Sequence, residues 1–235
     1  MIKLVNLNKS YGKKKILDNI SLDINKGEII GLLAPNGEGK STLLKILGGH
    51  IVFDGGEYLF QEREFSYKDK NLIGYVSDAP LIPKGWKVKE GISYYKRYFK
   101  NFNEEKCLAM IEDFKLDLND RIRALSKGAV EKLHLALALS IDGVLYIMDE
   151  PLASIDLIAR EEVIKMILEN FNGESTMIIS SHLVADIEKM LDRVILLKGG
   201  KIIHNELVEN LRAKGKSVVD LYRDVYNETK KGLAV

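Results

Sequence analysis

The chain has 235 residues, 46% of them hydrophobic and 29% charged, with a formal net charge of +1. This is the composition of a globular protein with a sizeable core, arranged as one large domain or two small ones. It lacks the basic excess of a nucleic-acid-binding domain, so no nucleic-acid partner is expected, and the short clusters Lys13–Lys15 and Lys230–Lys231 read as solvated surface.

A single cysteine, Cys107, rules out an intrachain disulfide and suits a reducing compartment. The first residues alternate charge and apolarity, so no secretory leader is expected. The most apolar long stretch, Leu133–Met148, is broken by His134, Asp142 and Gly143. It is shorter than the roughly 20 residues a membrane-spanning helix needs. A soluble chain is expected, with any membrane role exerted through a partner.

In chain order, short apolar runs at Ile2–Leu7, Ile16–Ile24 and Glu28–Leu33 predict strands, and Ile20, Leu22 and Ile24 show the period-2 alternation of a sheet with one wet face. Lys40–Leu47 changes to helical spacing. Ile51–Phe60 and Leu72–Val76 return to strand. From Trp86 to Ser126 the pattern is helical, with amphipathic helices over Val88–Phe102 and Glu104–Phe114, followed by a helix over Val130–Ser140. A buried strand is predicted at Gly143–Met148, then helix Leu157–Phe171, strand Ser175–Ser180, helix Val184–Met190, and strands Arg193–Leu197 and Lys201–His204. In the tail, Val218, Leu221, Tyr222 and Val225 stand at the spacing of a packing stripe. Strand–helix alternation argues for a mostly parallel sheet covered by helices. The expected division is a core over 1–85 and 141–205, a helical insert over about 86–140, and a C-terminal extension over 206–235.

The chemistry is concentrated first at Ala34-Pro35-Asn36-Gly37-Glu38-Gly39-Lys40-Ser41-Thr42, between a strand and a helix. Glycines let the backbone curl so that successive N–H groups point inward, and the helix start adds free N–H groups and the positive end of its dipole. Asn36, Gly37, Glu38, Gly39, Lys40, Ser41 and Thr42 are the candidate ATP-binding residues. Lys40 is placed to reach the β- and γ-phosphates and Ser41 to ligand Mg²⁺. Ala34 stands where the G-x-x-x-x-G-K-[ST] pattern has its first glycine, so this position is expected not to need a positive φ.

A second feature is Val144–Asp149 followed by Glu150, an apolar strand ending in two acids. Near a bound triphosphate, one acid can hold Mg²⁺ through water and the next can polarise an attacking water. Alone, such a pair also fits ordinary surface charge. The ordered set is more specific: Leu125-Ser126-Lys127-Gly128-Ala129 before the acids, Ser154-Ile155-Asp156 after Pro151, and His182 closing the strand Thr176–Ser181.

With these motifs the chain resembles the ATP-binding cassette (ABC) family over Ile2–His204. The resemblance implies a P-loop NTPase fold with a mostly parallel core sheet, an N-terminal antiparallel β-subdomain and an inserted α-helical subdomain. It implies that Tyr11 stacks on adenine, unless it is merely a packed strand-end tyrosine. Glu150 becomes the catalytic carboxylate, Asp149 the magnesium-side acid and His182 the switch residue at the γ-phosphate. Ser126 and Gly128 belong to the segment that meets ATP bound by a second subunit, and Asp156 to the loop coupling the two sites. ATP and Mg²⁺ are the implied ligands.

Three departures stand out. The LSKGA segment replaces the family's LSGGQ, and Lys127 either adds positive charge near the trans phosphates or points to solvent. Asp78 stands where glutamine is usual, either reaching a magnesium-bound water or lying at the surface before Pro80. Leu152–Leu157 keeps clearly only Asp156 of the usual TSGLDP. His50, His134 and His204 have no metal-ligand spacing and read as structural.

The resemblance implies a dimer, as a homodimer or with a sister cassette, powering an integral membrane permease encoded as a separate chain. The protein would then be cytoplasmic and peripheral on the inner face of the cell membrane. Lys127 and Asp78 make the chain similar to cassettes of ABC-2-type prokaryotic exporters. Trp86 and the aromatics at 94–99 lie where such subunits usually receive the permease. The alternatives are a soluble ABC ATPase and a nucleotide-gated regulator not coupled to transport.

Overall fold

The computed structural model describes residues 1–78 and 82–231, with side chains through 226; the residues just after Asp78, the side chains of Lys230 and Lys231 and the end of the C-terminal extension lie outside the described residues. The chain opens with the antiparallel pair β1 (Ile2–Tyr11) and β2 (Lys14–Ile24), then enters β3 (Ile29–Leu33) and helix α1 (Lys40–Leu47). β4 (Gly55–Phe60), β5 (Arg63–Glu64) and β6 (Ile73–Val76) follow. Three helices come next in succession: α2 (Val88–Tyr98), α3 (Glu104–Asp113) and α4 (Lys127–Leu139). The last part is β7 (Leu145–Asp149), α5 (Leu157–Glu169), β8 (Thr176–Ser180), α6 (Val184–Ile187), β9 (Arg193–Lys198), β10 (Lys201–Leu207), α7 (Val208–Ala213) and α8 (Val218–Lys231).

Two sheets organise these elements. The N-terminal sheet is antiparallel, in the order β2-β1-β4-β5. The larger sheet runs β10-β9-β3-β8-β7-β6, parallel except for β10 at one edge. Strand periodicity places alternate residues on opposite faces. Ile30 and Leu32 pack with α1 and the N-terminal sheet, while Ile29 and Leu33 pack with the other helices. Both faces are therefore covered, which is why β3, β7 and β8 are buried along their whole length, with polar residues only at the ends of β7 and β8. Among the described residues no helix is long and apolar enough to cross a membrane.

The expected mixed fold with its parallel sheet is present, and several boundaries differ. Residues 51–54 are loop, with β4 starting only at Gly55. Val52 in that loop is 78% exposed. Asp54 fixes it by accepting from Lys9 Nζ (2.8 Å) and the Ser10 amide (2.6 Å), so an apolar run that reads as strand is a tied loop. Helix α2 stops at Tyr98 because Phe99 turns to extended geometry (φ −107°, ψ 110°). Helix α4 begins earlier than the apolar pattern suggested, because Ser126 caps it and its Oγ accepts the Ala129 amide at 3.1 Å.

Candidate functional site

The glycine-rich loop leaves the carboxyl end of β3, an interior strand, and enters α1, on the side of the sheet where open α/β folds bind ligands. Its left-handed residues are Gly37 (φ 86°) and Gly39 (φ 102°), and Ala34 is not among them. The turns therefore fall where glycine tolerates them. Gly39 is the N-cap of α1, no side chain caps the helix and no acid lies in its first turn. Its first amides are left for a ligand, at the positive end of the helix dipole.

Lys40 is 6% exposed. Its Nζ donates to Ala34 O (2.6 Å) and Pro35 O (3.3 Å), which folds the side chain back over its own loop. Burial lowers its pKa, against the raising effect of Glu150, Asp149 and Glu38. Desolvation alone disfavours the ammonium, and an anionic ligand in the loop would reverse that. A cleft of about 500 Å³ opens over this loop, lined by Lys14, Ile16, Asn36, Gly37, Gly39, Lys40, Ser41, Thr42, Asp78 and Glu150. All but Lys14 and Ile16 are residues that the sequence points to for ATP or metal contact or, at Glu150, for catalysis.

The two acids behave differently. Asp149 ends β7 and is 1% exposed. Its Oδ1 accepts from Ser180 Oγ at 2.6 Å, and its Oδ2 has no partner among the described residues. Glu150 stands outside the strand with φ 54°, a left-handed backbone that is uncommon for a side chain larger than glycine. Ser180 holds this turn too: the Glu150 amide donates to Ser180 O (3.2 Å) and Oγ (3.1 Å). Glu150 Oε2 accepts the His182 amide at 3.2 Å and lies 2.7 Å from His182 Nδ1. Ser180, which the sequence reading did not single out, thus fixes both acids at once. The Ser-Ser-His run at a strand end was the signal available for it.

The remaining candidates are dispersed. Tyr11 ends β1, is 53% exposed with Lys9 Nζ 5.4 Å from its ring centre, and does not line the cleft. Glu38 turns away from the cleft: its Oε2 accepts the Gly199 amide of the β9–β10 turn at 2.5 Å. Asp78 lies 3.9 Å from Lys45 and lines both the loop cleft and a second cleft of about 400 Å³. That second cleft also takes in Lys127, Glu131, His134 and Ser154. Asp156 caps α5, accepting the Ala159 amide at 3.1 Å.

Ser126, Lys127 and Gly128 start α4 and contribute nothing to the loop cleft. Two contacts in this region were not legible beforehand. Both Glu131 oxygens accept the Ser154 amide at 3.1 Å, which ties the loop after Glu150 to α4, and burial raises the Glu131 pKa. At Gly128 an added Cβ would meet Ser154 O at 3.2 Å, so glycine lets that loop pass close to α4.

Whether the residues present suit Mg²⁺ is answered by Asp149 and Ser41. Mg²⁺ keeps several waters and takes few protein ligands. A buried, unpartnered Asp149 Oδ2 and a hydroxyl at the loop fit that requirement.

The fold and loop together define a P-loop nucleotide-binding α/β protein. The family model for ABC transporters matches residues 17–153, spanning the loop, the Ser126 segment and both acids. The chain belongs to the ABC transporter family, and it is an ATPase of the ABC type. The lantibiotic transport ATP-binding protein SrtF of Streptococcus pyogenes is 34% identical to it over 206 residues, covering 86% of this chain and 89% of SrtF. The Nod factor export ATP-binding protein I of Rhizobium etli is 30% identical over 232 residues, covering 92% of this chain and 72% of that protein. Among solved structures, the ATP-binding subunit of an ABC transporter superposes with a TM-score of 0.86 at 20% identity, covering 95% of this chain and 98% of that one. The dimeric structure of the bacterial ABC transporter cassette MJ0796 gives 0.79 at 23% identity, covering 88% and 98%. At such identities the structures establish the fold.

Proposed function

We propose that this chain is the ATP-binding subunit of an exporter, which dimerises around ATP and Mg²⁺ and drives a separate membrane permease from the cytoplasmic face. The observation that carries the reading is Glu150 at the mouth of the loop cleft, held by His182 and facing the same space as Lys40 and Ser41. The names of the relatives, one in lantibiotic transport and one in Nod factor export, support the exporter class. Residues 1–85 and 141–205 form the nucleotide-binding core in this reading, about 86–140 the helical subdomain that receives the permease, and 206–235 an extension.

On binding, the polyphosphate displaces Lys40 Nζ from the Ala34 and Pro35 carbonyls and takes the free amides of the loop and α1. Tyr11 stacks on the adenine from the end of β1. Asp149 and Ser41 would hold Mg²⁺, with Asp78 within reach of one of its waters, and the bound ion would supply charge neutralisation at the phosphates. Glu150 accepts the proton of the water that attacks the γ-phosphorus, as the bond to the ADP oxygen breaks. His182, tethered to the same carboxylate, faces the γ-phosphate. Ser126, Lys127 and Gly128 close over the phosphates bound by a second subunit, and Asp156 couples the two sites.

The test is Glu150→Gln. Its amide cannot take the proton, so hydrolysis should fall by about 10²–10⁴-fold with ATP binding retained. Turnover at the wild-type rate would refute the assignment. Co-purification of a multi-spanning membrane protein with the tagged chain tests the transport reading.

A further inference from the structure

The C-terminal helix α8 packs on the nucleotide half of the molecule. Its start is well built: Ser217 Oγ donates to Asp220 Oδ2 (2.6 Å) and accepts the Asp220 amide (3.0 Å). The Val218 amide donates to Glu188 Oε1 at 2.7 Å, which docks this end just beyond α6, the helix that follows His182. Two turns further on, the Tyr226 hydroxyl donates to Leu197 O at 2.6 Å and lies 3.4 Å from Leu33 O. Lys198 Nζ donates to Val225 O at 3.1 Å.

Leu33 and Leu197 lie at the carboxyl ends of adjacent parallel strands, with Leu33 opposite Leu196. Leu33 is also the last residue before the phosphate loop, and the next carbonyl, Ala34 O, is the one that holds Lys40 Nζ. Glu38 of the loop is bonded to Gly199, one residue beyond Lys198. The loop and α8 are therefore fastened to the same strand ends. Tyr222, whose ring centre is 4.6 Å from that of Tyr226, carries a pKa raised by burial and by the charge of Glu150. α8 thus runs from Glu188, just beyond α6, to the strand ends at the root of the phosphate loop.

We infer that α8 is a strap on the nucleotide site, and that the Tyr226 hydroxyl is a positioning group that holds the root of the phosphate loop in its nucleotide-binding form. Occupancy of the loop and docking of α8 are then coupled, and the coupling is reciprocal by thermodynamic necessity. A helix that only covered apolar strand ends would need the Tyr226 ring and not its hydroxyl. This inference rests on the phosphates binding at the Gly37–Thr42 loop.

The experiment uses the full chain with MgADP, which binds without turnover. Tyr226→Phe keeps the ring and removes the hydroxyl; it should raise the Kd for MgADP about 3- to 10-fold, the range for one hydrogen bond. The kcat at saturating ATP should stay near wild type, which separates loop positioning from chemistry. In the wild-type chain, MgADP should slow hydrogen exchange of the α8 amides over 218–226, and less so in Y226F. A Kd within about 1.5-fold of wild type overturns the inference, as does α8 exchange indifferent to MgADP. Cys107→Ala, a buried change in α3 away from this site, serves as the stability control. If it weakens MgADP binding as much as Y226F does, the effect is general loosening and the inference fails. Lys40→Ala separates the two readings: retained MgADP affinity there sinks the phosphate-loop assignment itself, whereas its loss beside an unaffected Y226F sinks only the strap.

Discussion

Helices α1 and α4 both begin at a candidate phosphate site, and they begin differently. α1 starts from a left-handed Gly39 with no side-chain cap, so its first amides are open to a ligand. α4 starts from Ser126, whose Oγ already accepts the Ala129 amide. As an acceptor there, the hydroxyl still keeps its own proton to give to a phosphate oxygen. The first start leaves its leading amides to a polyphosphate, whereas the second already has the Ala129 amide taken by its own cap. In a single chain the α4 start adds no residue to the loop cleft, which favours a second subunit as the place where its hydroxyl is used.

The sharpest way to break this contrast is to remove the cation from the open start. Lys40→Ala should weaken ATP binding by about 10²-fold or more, since hydrogen bonds to a charged group contribute about 1.5–3 kcal/mol each. Equilibrium nucleotide binding checks it, and unchanged affinity would remove the loop from the site.

The next effect concerns α4. His134 is buried with its Nε2 unpartnered among the described residues, and burial depresses its pKa to about 4 from 6.5. A depressed folded pKa contributes stability above the unfolded value and loses it as pH falls. The loss therefore runs from about pH 6.5 down toward 4, to a limit of about 3 kcal/mol. His134→Leu should flatten the fall in thermal midpoint across that window relative to wild type. Equal slopes would place the acid sensitivity of α4 elsewhere.

The smallest effect is expected at Ala34, where the φ is not positive. Ala34→Gly should leave ATP affinity within about twofold and cost about 0.5–1 kcal/mol of stability through the freer unfolded chain. Denaturant unfolding and nucleotide titration measure the two. A gain in affinity would mean that the loop strains at this alanine.

The open start was legible in the sequence and much of its surroundings was not. Gly37, Gly39, Lys40 and Ser41 announce themselves because the turn, the charge and the hydroxyl are all local. Glu150 and His182 were legible as types at strand ends, though not as a bonded pair across 32 residues. Ser180, Glu131 and Tyr226 escaped notice because each acts through tertiary contacts, Tyr226 meeting Leu33 across 193 residues. The error at residues 51–54 had the same origin. The apolar run has the pattern of a strand, whereas Asp54, bonded back to Lys9 and Ser10, keeps it a loop.

The central claim, that a complete site takes the α1 start from one copy and the α4 start from another, is tested most directly by mixing two inactive variants. One is Lys40→Ala. The other is Ser126→Asp, which keeps a good helix cap but sets a carboxylate against the phosphate and removes the hydroxyl proton. Each is expected to be inactive alone. In a statistical mixture about half the dimers are mixed, and each of those regains one intact site of two. ATPase activity should then recover to about one quarter of the wild-type rate. Activity that stays at the sum of the two separate variants would contradict a site shared between copies of this chain.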